Sequence, residues 1–378
     1  MSTNGRLATD SAHSIRVALD ASAIPDPPGG AGRYVLALAE ALSRRDDVEL
    51  TVVSRTGDSD RWPSPVAARA PALRPVRLGW EQVGLPRVVR SLGVEVHHGP
   101  HYTMPLALGL PAVVTVHDLS FFTRPEWHQR TKVAFFRAAI RTSARQAAAL
   151  VAVSRATAAL LDQWVAPRAS VHVIPHGVDH ARFRPDDLGD DEAARARAGV
   201  DRPYIAFLGT LEPRKDVPTL VRAFDRLAGA RAELTLVLAG ARGWGTDAMD
   251  QAISGAAHAD RIRRLGYVAE GDMPAVLRGA SAVAYPSLEE GFGLPVLEGL
   301  ACGTPVVTTS GTVMEEVAGG AALLAPPGDV DRLATALEAA IDGGPDGLER
   351  RRLGLEVAGR HTWEASAAAH ADVYRSVR

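Results

Sequence analysis

An alternation constrains this chain most: short apolar runs, largely free of charge, alternate with longer amphipathic runs, and the alternation occurs in two blocks. In the first block, Ile15–Asp20, Glu49–Ser54, Val94–His97, Ala112–Val116, Leu150–Val153 and Val171–Ile174 read as strands. Their β-branched composition suits strands covered on both faces, as in parallel sheets flanked by crossover helices. Arg33–Arg45 supplies a helical partner, with Val35, Leu36, Leu38, Ala39 and Leu42 on one side. The second block repeats the rhythm with Tyr204–Gly209, a helix near Val217–Ala228, Leu234–Ala239, Ile262–Gly266, Ala282–Tyr285, Pro305–Thr309 and Ala321–Leu324. Two helical stretches, Val330–Ile341 and Glu364–Val377, close the chain.

Between the blocks, Asp179–Gly199 is polar and contains proline, and it reads as a linker with one helical turn. The expected fold is α/β: two Rossmann-like domains whose carboxyl strand ends face each other across a ligand cleft. The expected segments are a disordered tail over 1–14, an N-terminal domain over 15–185, a linker over 186–200, a C-terminal domain over 201–360 and a terminal helix over 361–378.

Composition narrows the function. With 42 basic against 44 acidic residues the formal charge is -2, which gives nucleic-acid binding no electrostatic support. No apolar run approaches the ~20 residues of a membrane span. Residues 1–14 lack the apolar core of a signal peptide, so a cytoplasmic protein is expected. The single cysteine, Cys302, excludes an internal disulfide framework and a cysteine-based zinc site. Arginine outnumbers lysine 40 to 2, a bias of genome composition more than of function, against which Lys132 and Lys215 are weak candidates for roles that arginine does not meet.

The segment richest in chemistry is Pro286–Gly303, PSLEEGFGLPVLEGLACG. Gly291 and Gly293 permit a sharp turn and close approach to a ligand. Pro295 suits the start of a helix, so free amides near Gly293 and Leu294 point toward an anion. Glu290 on the loop and Glu298, expected in the first helical turn, both face the cleft as acceptors for sugar or ribose hydroxyls. The alternative is a solvated acidic loop. In GTLEPRKD (Gly209–Asp216), Arg214 and Lys215 follow a strand and offer a diphosphate cradle, against the alternative of a basic surface turn.

The first block contributes Gly29–Arg33 and the pair His117-Asp118 at a strand end. His117 suits a sugar hydroxyl, or alternatively a satisfied buried site. GGAGRY lacks the G-x-G-x-x-G spacing of dinucleotide binders. His97, His98 and His101 come without carboxylate or cysteine ligand spacing, so no metal site is expected. Residues 130–145 form a basic helix with Arg137, Arg141 and Arg145 in one stripe, read as packed on a sheet in preference to lying on an anionic membrane.

Together these segments resemble the retaining GT-B glycosyltransferases of family 4, in particular bacterial mannosyltransferase-like members. The resemblance spans nearly the whole chain and rests on E-x7-E (Glu290 to Glu298), GTLEPRK, VSRATAALL (Val153–Leu161), VIPHGVD (Val173–Asp179), TVHDLSFF (Thr115–Phe122) and GG-x-GRY. It implies that Glu290 contacts hydroxyls of the transferred sugar and that Glu298 holds the ribose. Arg214 and Lys215 would neutralise the leaving diphosphate, with Gly291, Phe292 and the amides of Gly293 and Leu294 beside it. The Val268 backbone would face the base, Gly30 and Gly32 would approach from across the cleft, and His117 with Asp118 would meet the acceptor.

Thr210 stands where many relatives carry arginine, which places more of the diphosphate on Arg214 and Lys215. The terminal helix is implied to cross back to the first domain. The implied reaction is retaining, metal-independent transfer of a hexosyl unit from a nucleotide sugar to a glycan or lipid-linked acceptor. The implied donor is GDP-mannose, and no cofactor beyond it is required. A UDP- or dTDP-sugar donor, a phosphorylase, hydrolase or epimerase of the same fold, and a nucleotide-sugar-binding protein without turnover are the alternatives. Peripheral contact with an inner membrane face is left open.

Overall fold

A computed structural model of the chain describes residues 14–24, 28–187, 189–201, 203–343 and 346–378. The tail expected to be disordered therefore lies, Ser14 apart, outside the described residues. The first block folds as β1 (Ile15–Asp20), α1 (Gly30–Ser43), β2 (Val48–Arg55), β3 (Val66–Ala70), α2 (Arg74–Ser91), β4 (Val96–Gly99), β5 (Ala112–Val116), α3 (Ser120–Thr123), α4 (Arg130–Gln146), β6 (Ala149–Ala152), α5 (Arg155–Trp164) and β7 (Ser170–Val173). Its seven strands form one parallel sheet in the order β3-β2-β1-β4-β5-β6-β7.

The second block comprises α6 (Asp191–Ala198), β8 (Tyr204–Leu208), α7 (Val217–Ala228), β9 (Thr235–Ala239), α8 (Asp247–Ser254), β10 (Ile262–Gly266), α9 (Met273–Gly279), β11 (Ala282–Tyr285), α10 (Leu294–Ala301), β12 (Val306–Thr309), α11 (Val313–Ala318), β13 (Leu323–Ala325), α12 (Val330–Asp342), α13 (Gly347–Arg360) and α14 (Trp363–Val377). Its sheet, β10-β9-β8-β11-β12-β13, is also parallel throughout. In each sheet the winding reverses beside the first strand, between β1 and β4 and between β8 and β11. Loops leaving such a switch point diverge and open a crevice at the carboxyl strand ends.

The stretch read as a linker departs from expectation. Residues Asp191–Ala198 form α6, whose Asp191 receives a two-nitrogen ion pair from Arg278 of α9 at 2.6 and 2.7 Å. Asp191 is 5% exposed, so this turn is anchored by a buried ion pair that a polar sequence does not advertise. Helices α2 and α13 are also absent from the sequence reading. Pro86 and two glycines interrupt the α2 pattern, and three glycines dilute α13, yet packing of Leu85 and Val89, and of Val357 and Ala358, carries both.

The terminal helix α14 packs against α1 and β1, on the first domain. The Tyr374 hydroxyl meets His98 Nδ1 at 2.7 Å, and the Tyr34 hydroxyl of α1 meets His370 Nε2 at 2.9 Å. To arrive there the chain runs beside the outgoing crossing, where Val178 N–H donates to the His361 carbonyl at 3.0 Å. A Cβ on Gly177 would collide with the backbone at Thr362 and Trp363, so the two crossings approach as only glycine allows. In α4, Arg137 donates to the Phe121 carbonyl at 2.7 Å and Arg141 lies over the Phe122 ring at 5.0 Å, so two members of the basic stripe serve packing.

Candidate active site

The two switch points face each other and bound a cleft of about 1150 Å³. From the C-terminal domain, the loop after β8 brings Thr210, Arg214 and Lys215, the loop after β10 brings Val268, and the loop after β11 brings Glu290, Gly291, Phe292, Gly293 and Leu294. From the other side come Gly30 at the start of α1 and His117 and Asp118 after β5. The structure thus brings together residues spread over most of the chain.

Glu290 is the hub. Its Oε1 accepts from Lys215 Nζ, from the Tyr285 hydroxyl at 3.0 Å and from Ser287 Oγ at 3.0 Å, while Oε2 accepts from Arg214. Burial alone would raise this carboxyl, but the Arg214 and Lys215 cations and the donated hydrogen bonds outweigh it and hold it down at about 2. Burial lowers Lys215, with Arg214 adding to the effect and Glu290 opposing it. Arg214 also pairs with Glu212. The cluster thus sets the carboxylates of Glu212 and Glu290 against the cations of Arg214 and Lys215, and Lys215 lies 4.8 Å above the Tyr285 ring. Tyr285, Ser287 and Glu212 were not singled out from sequence. The first two flank the proline preceding the motif, and only the fold turns them onto Glu290.

The second glutamate lies deeper than expected. Helix α10 begins at Leu294 with Pro295 as its second residue, so Glu298 is in the second turn and not the first. It is 4% exposed and does not line the cleft. Its Oε1 accepts from Arg33 of the opposite domain at 3.0 Å, while Oε2 has no hydrogen-bond partner. Gly32 likewise faces inward: a Cβ there would lie 2.8 Å from Pro28 Cβ, because the helix has already begun at Gly30. Gly293, at φ +97°, makes the turn into α10.

On the N-terminal wall, His117 Nε2–H donates to the Pro100 carbonyl at 2.8 Å, an acceptor that fixes this tautomer and leaves Nδ1 as an acceptor. Burial lowers His117 against the opposing pull of the Pro100 carbonyl and Asp118, so the ring is neutral near neutral pH. Asp118 is engaged locally, accepting from Ser120 N–H at 3.0 Å and Ser120 Oγ at 2.7 Å. The walls meet closely beside His117, where a Cβ on Gly291 would overlap its carbonyl oxygen. Further out, Trp244 Nε1–H donates to the Trp127 carbonyl at 3.0 Å, and Glu316 of α11 accepts from the Arg155 and Ala156 amides at the start of α5 at 3.0 and 3.1 Å. Among the described residues, no group of three His, Cys, Asp or Glu side chains is placed to hold a metal ion. No described helix is long and apolar enough to cross a membrane.

Two parallel-sheet domains with this cleft are the GT-B arrangement of sugar transferases. Residues 28–182 match the model described as Glycosyltransferase Family 4, and residues 202–342 match Glycosyl transferases group 1. The chain is 32% identical over 308 residues to the O-antigen chain mannosyltransferase B of Escherichia coli, covering 80% of this chain and 78% of that protein. It is also 32% identical to a D-inositol 3-phosphate glycosyltransferase of Actinosynnema mirum, with 75% and 76% covered. Among solved structures, Anabaena Alr3699/HepE in complex with UDP and glucose superposes with a TM-score of 0.76 at 22% identity, over 96% of this chain and 100% of that one. WaaG, a glycosyltransferase of lipopolysaccharide biosynthesis, gives 0.74 at 16%, over 95% and 99%. The protein belongs to the family 4 glycosyltransferases and has the GT-B fold.

Proposed function

We propose that this glycosyltransferase moves a mannosyl unit from GDP-mannose to a glycan or lipid-linked acceptor, with retention at the anomeric carbon and without a divalent metal. The observation that carries the reading is the buried Glu290–Lys215–Arg214 cluster at the mouth of the β8/β11 crevice. A diphosphate entering that crevice competes with Glu290 for both cations. As Lys215 and Arg214 turn to phosphate, they release lone pairs on Glu290, which then accept hydroxyls of the transferred sugar. Charge developing on the leaving diphosphate meets cations already in place, the form of electrostatic catalysis that needs no reorganisation in the transition state.

In this reading Gly291, Phe292 and the amides at Gly293 and Leu294 line the phosphates and sugar, Thr210 lies beside the diphosphate, and the Val268 backbone faces the base. Gly30 approaches from across the cleft, whereas Gly32 faces inward and Glu298 reaches the ribose only if it gives up its bond to Arg33. His117, neutral and with Nδ1 free to accept, orients a hydroxyl of the sugar or acceptor, and Asp118 lies next to it. The donor phosphate takes the acceptor's proton on the front face of the sugar, so no enzyme nucleophile is needed. Contact between the walls at Gly291 and at the Trp244–Trp127 bond excludes water from the donor. GDP-mannose is favoured by the likeness to the Escherichia coli mannosyltransferase, whereas the UDP complexes of HepE favour a uridine donor as the second reading.

Calorimetric titration with GDP, UDP and dTDP, with and without chelator, separates these readings. Chelator-insensitive preference for GDP supports the first, preference for UDP or dTDP discards mannose from GDP, and binding of none overturns the donor site. The anomeric configuration of the product, read by NMR, tests retention.

A further inference from the structure

Two adjacent histidines of β4 meet opposite fates. Side chains alternate across a strand. His98 faces α1 and α14, where Nε2 meets Thr115 Oγ1 at 2.8 Å and Nδ1 meets the Tyr374 hydroxyl at 2.7 Å. His97 pairs in register with Ala18 and shares its face of the sheet, toward α2. It is fully buried, and neither ring nitrogen has a hydrogen-bond partner. A native structure leaves few such groups, because each costs about 1–3 kcal/mol.

The surroundings of His97 are polar. Asp20, two residues beyond Ala18 on the same face of β1, is 9% exposed, and Glu81 of α2 is 7% exposed. Asp20 Oδ1 accepts from Ser22 N–H at 3.0 Å, and the Thr103 side chain hydrogen-bonds Glu81. Burial and the charge of Asp20 push the Glu81 carboxyl above its usual range, against Thr103 and Arg77, and burial lowers His97 against Asp20. Glu81 is also part of the cleft wall, one turn from Arg77. The loop that supplies Thr103 is strained: Tyr102 holds φ at +66°, and a Cβ on Gly99 would strike the Thr103 carbonyl. All of this sits at the β1/β4 switch point, opposite the donor cradle.

We propose that Glu81, with Asp20 and His97 behind it, is the hydroxyl-binding floor of the acceptor subsite and selects acceptors that present a polyhydroxylated ring, a sugar or a cyclitol. The proposal rests on the transferase reading of the cleft. A carboxyl accepts from one ring hydroxyl and, when protonated, donates to its neighbour. Asp20 and His97 are positioning residues, and Tyr102 and Phe136 offer the apolar face against which the ring lies.

The test uses the full chain saturated with GDP and three probes observed by saturation-transfer NMR: methyl α-mannoside, methyl β-glucoside and myo-inositol. At least one probe binds the wild type, and Glu81→Gln weakens it at least roughly tenfold while GDP titration is unchanged. Wild-type probe affinity varies with pH, and Asp20→Asn, which leaves Glu81 in place, moves the midpoint downward by removing a negative neighbour. Equal probe binding by Glu81→Gln, an unmoved midpoint in Asp20→Asn, or no probe bound by the wild type overturns the proposal. Loss of nucleotide binding by the wild type strikes the donor site instead, and a Glu81-dependent probe signal without nucleotide still supports the acceptor floor.

Discussion

On the C-terminal wall of the cleft, Glu290, Lys215 and Arg214 form a buried, mutually paired cluster, whereas the N-terminal wall presents His117, His101 and Tyr102, whose charged forms burial disfavours. One wall stores full charges that a diphosphate can take over. Around His117 the other offers neutral polar groups suited to hydroxyls, backed by aromatic rings in edge contact such as Tyr102 and His117 at 5.7 Å. The difference follows from what each wall must do in a low-dielectric crevice. Countering a developing charge requires permanent charges kept stable by pairing, while recognising a sugar requires donors and acceptors whose own desolvation is modest.

The largest expected break in that comparison is Glu290→Ala. It strands Lys215 and Arg214 without their central partner, so stability falls by about 3–5 kcal/mol and transfer falls at least roughly tenfold, ~1.4 kcal/mol. Denaturant titration beside initial rates checks both, and a wild-type midpoint in the variant would remove the paired cluster from the account. Lys215→Ala lowers transfer by a similar factor.

Gly291→Ala comes next, since its Cβ forces the walls apart at His117. The rate constant kcat is expected to drop by roughly tenfold or more, beyond any loss of GDP affinity, and equal losses in both would place the effect in donor binding alone. Acidification gives a third, smaller contrast. The Glu290 carboxyl is held at about 2 in the folded chain against an ordinary 4.5, so the fold binds fewer protons there than the unfolded chain does. Its stabilisation is present above the unfolded value and is lost as pH falls from about 4.5 toward 2. Urea titrations across that range should show a shallower acid decline in Glu290→Gln than in wild type, and identical slopes would contradict the pairing. The smallest effect is Tyr374→Phe, which removes the bond to His98 and costs about 1–2 kcal/mol. A thermal-unfolding shift in that variant without change in nucleotide affinity would separate the crossing helix from the donor wall.

Much of the scaffold was legible because local burial leaves a local trace. Strands β5 and β11 and helix α7 fall where uninterrupted apolar runs or amphipathic periodicity put them. The register of Glu290 and Glu298 and the Arg214-Lys215 pair were equally visible. Helices α2, α6 and α13 were not, since proline, glycine or charge hides their periodicity and their stability comes from partners far along the chain.

By itself the sequence determined two parallel α/β units, the loops that carry chemistry and the spacing of the two glutamates, because period and turn chemistry are properties of neighbouring residues. Only the tertiary structure decided that Glu298 turns to Arg33, that Gly32 faces inward, and that His97 and His98 part to opposite sides of β4 with such different partners. Those outcomes depend on which surfaces the two sheets and the returning helix bring together, and the burial that sets each group's charge is created only by that packing.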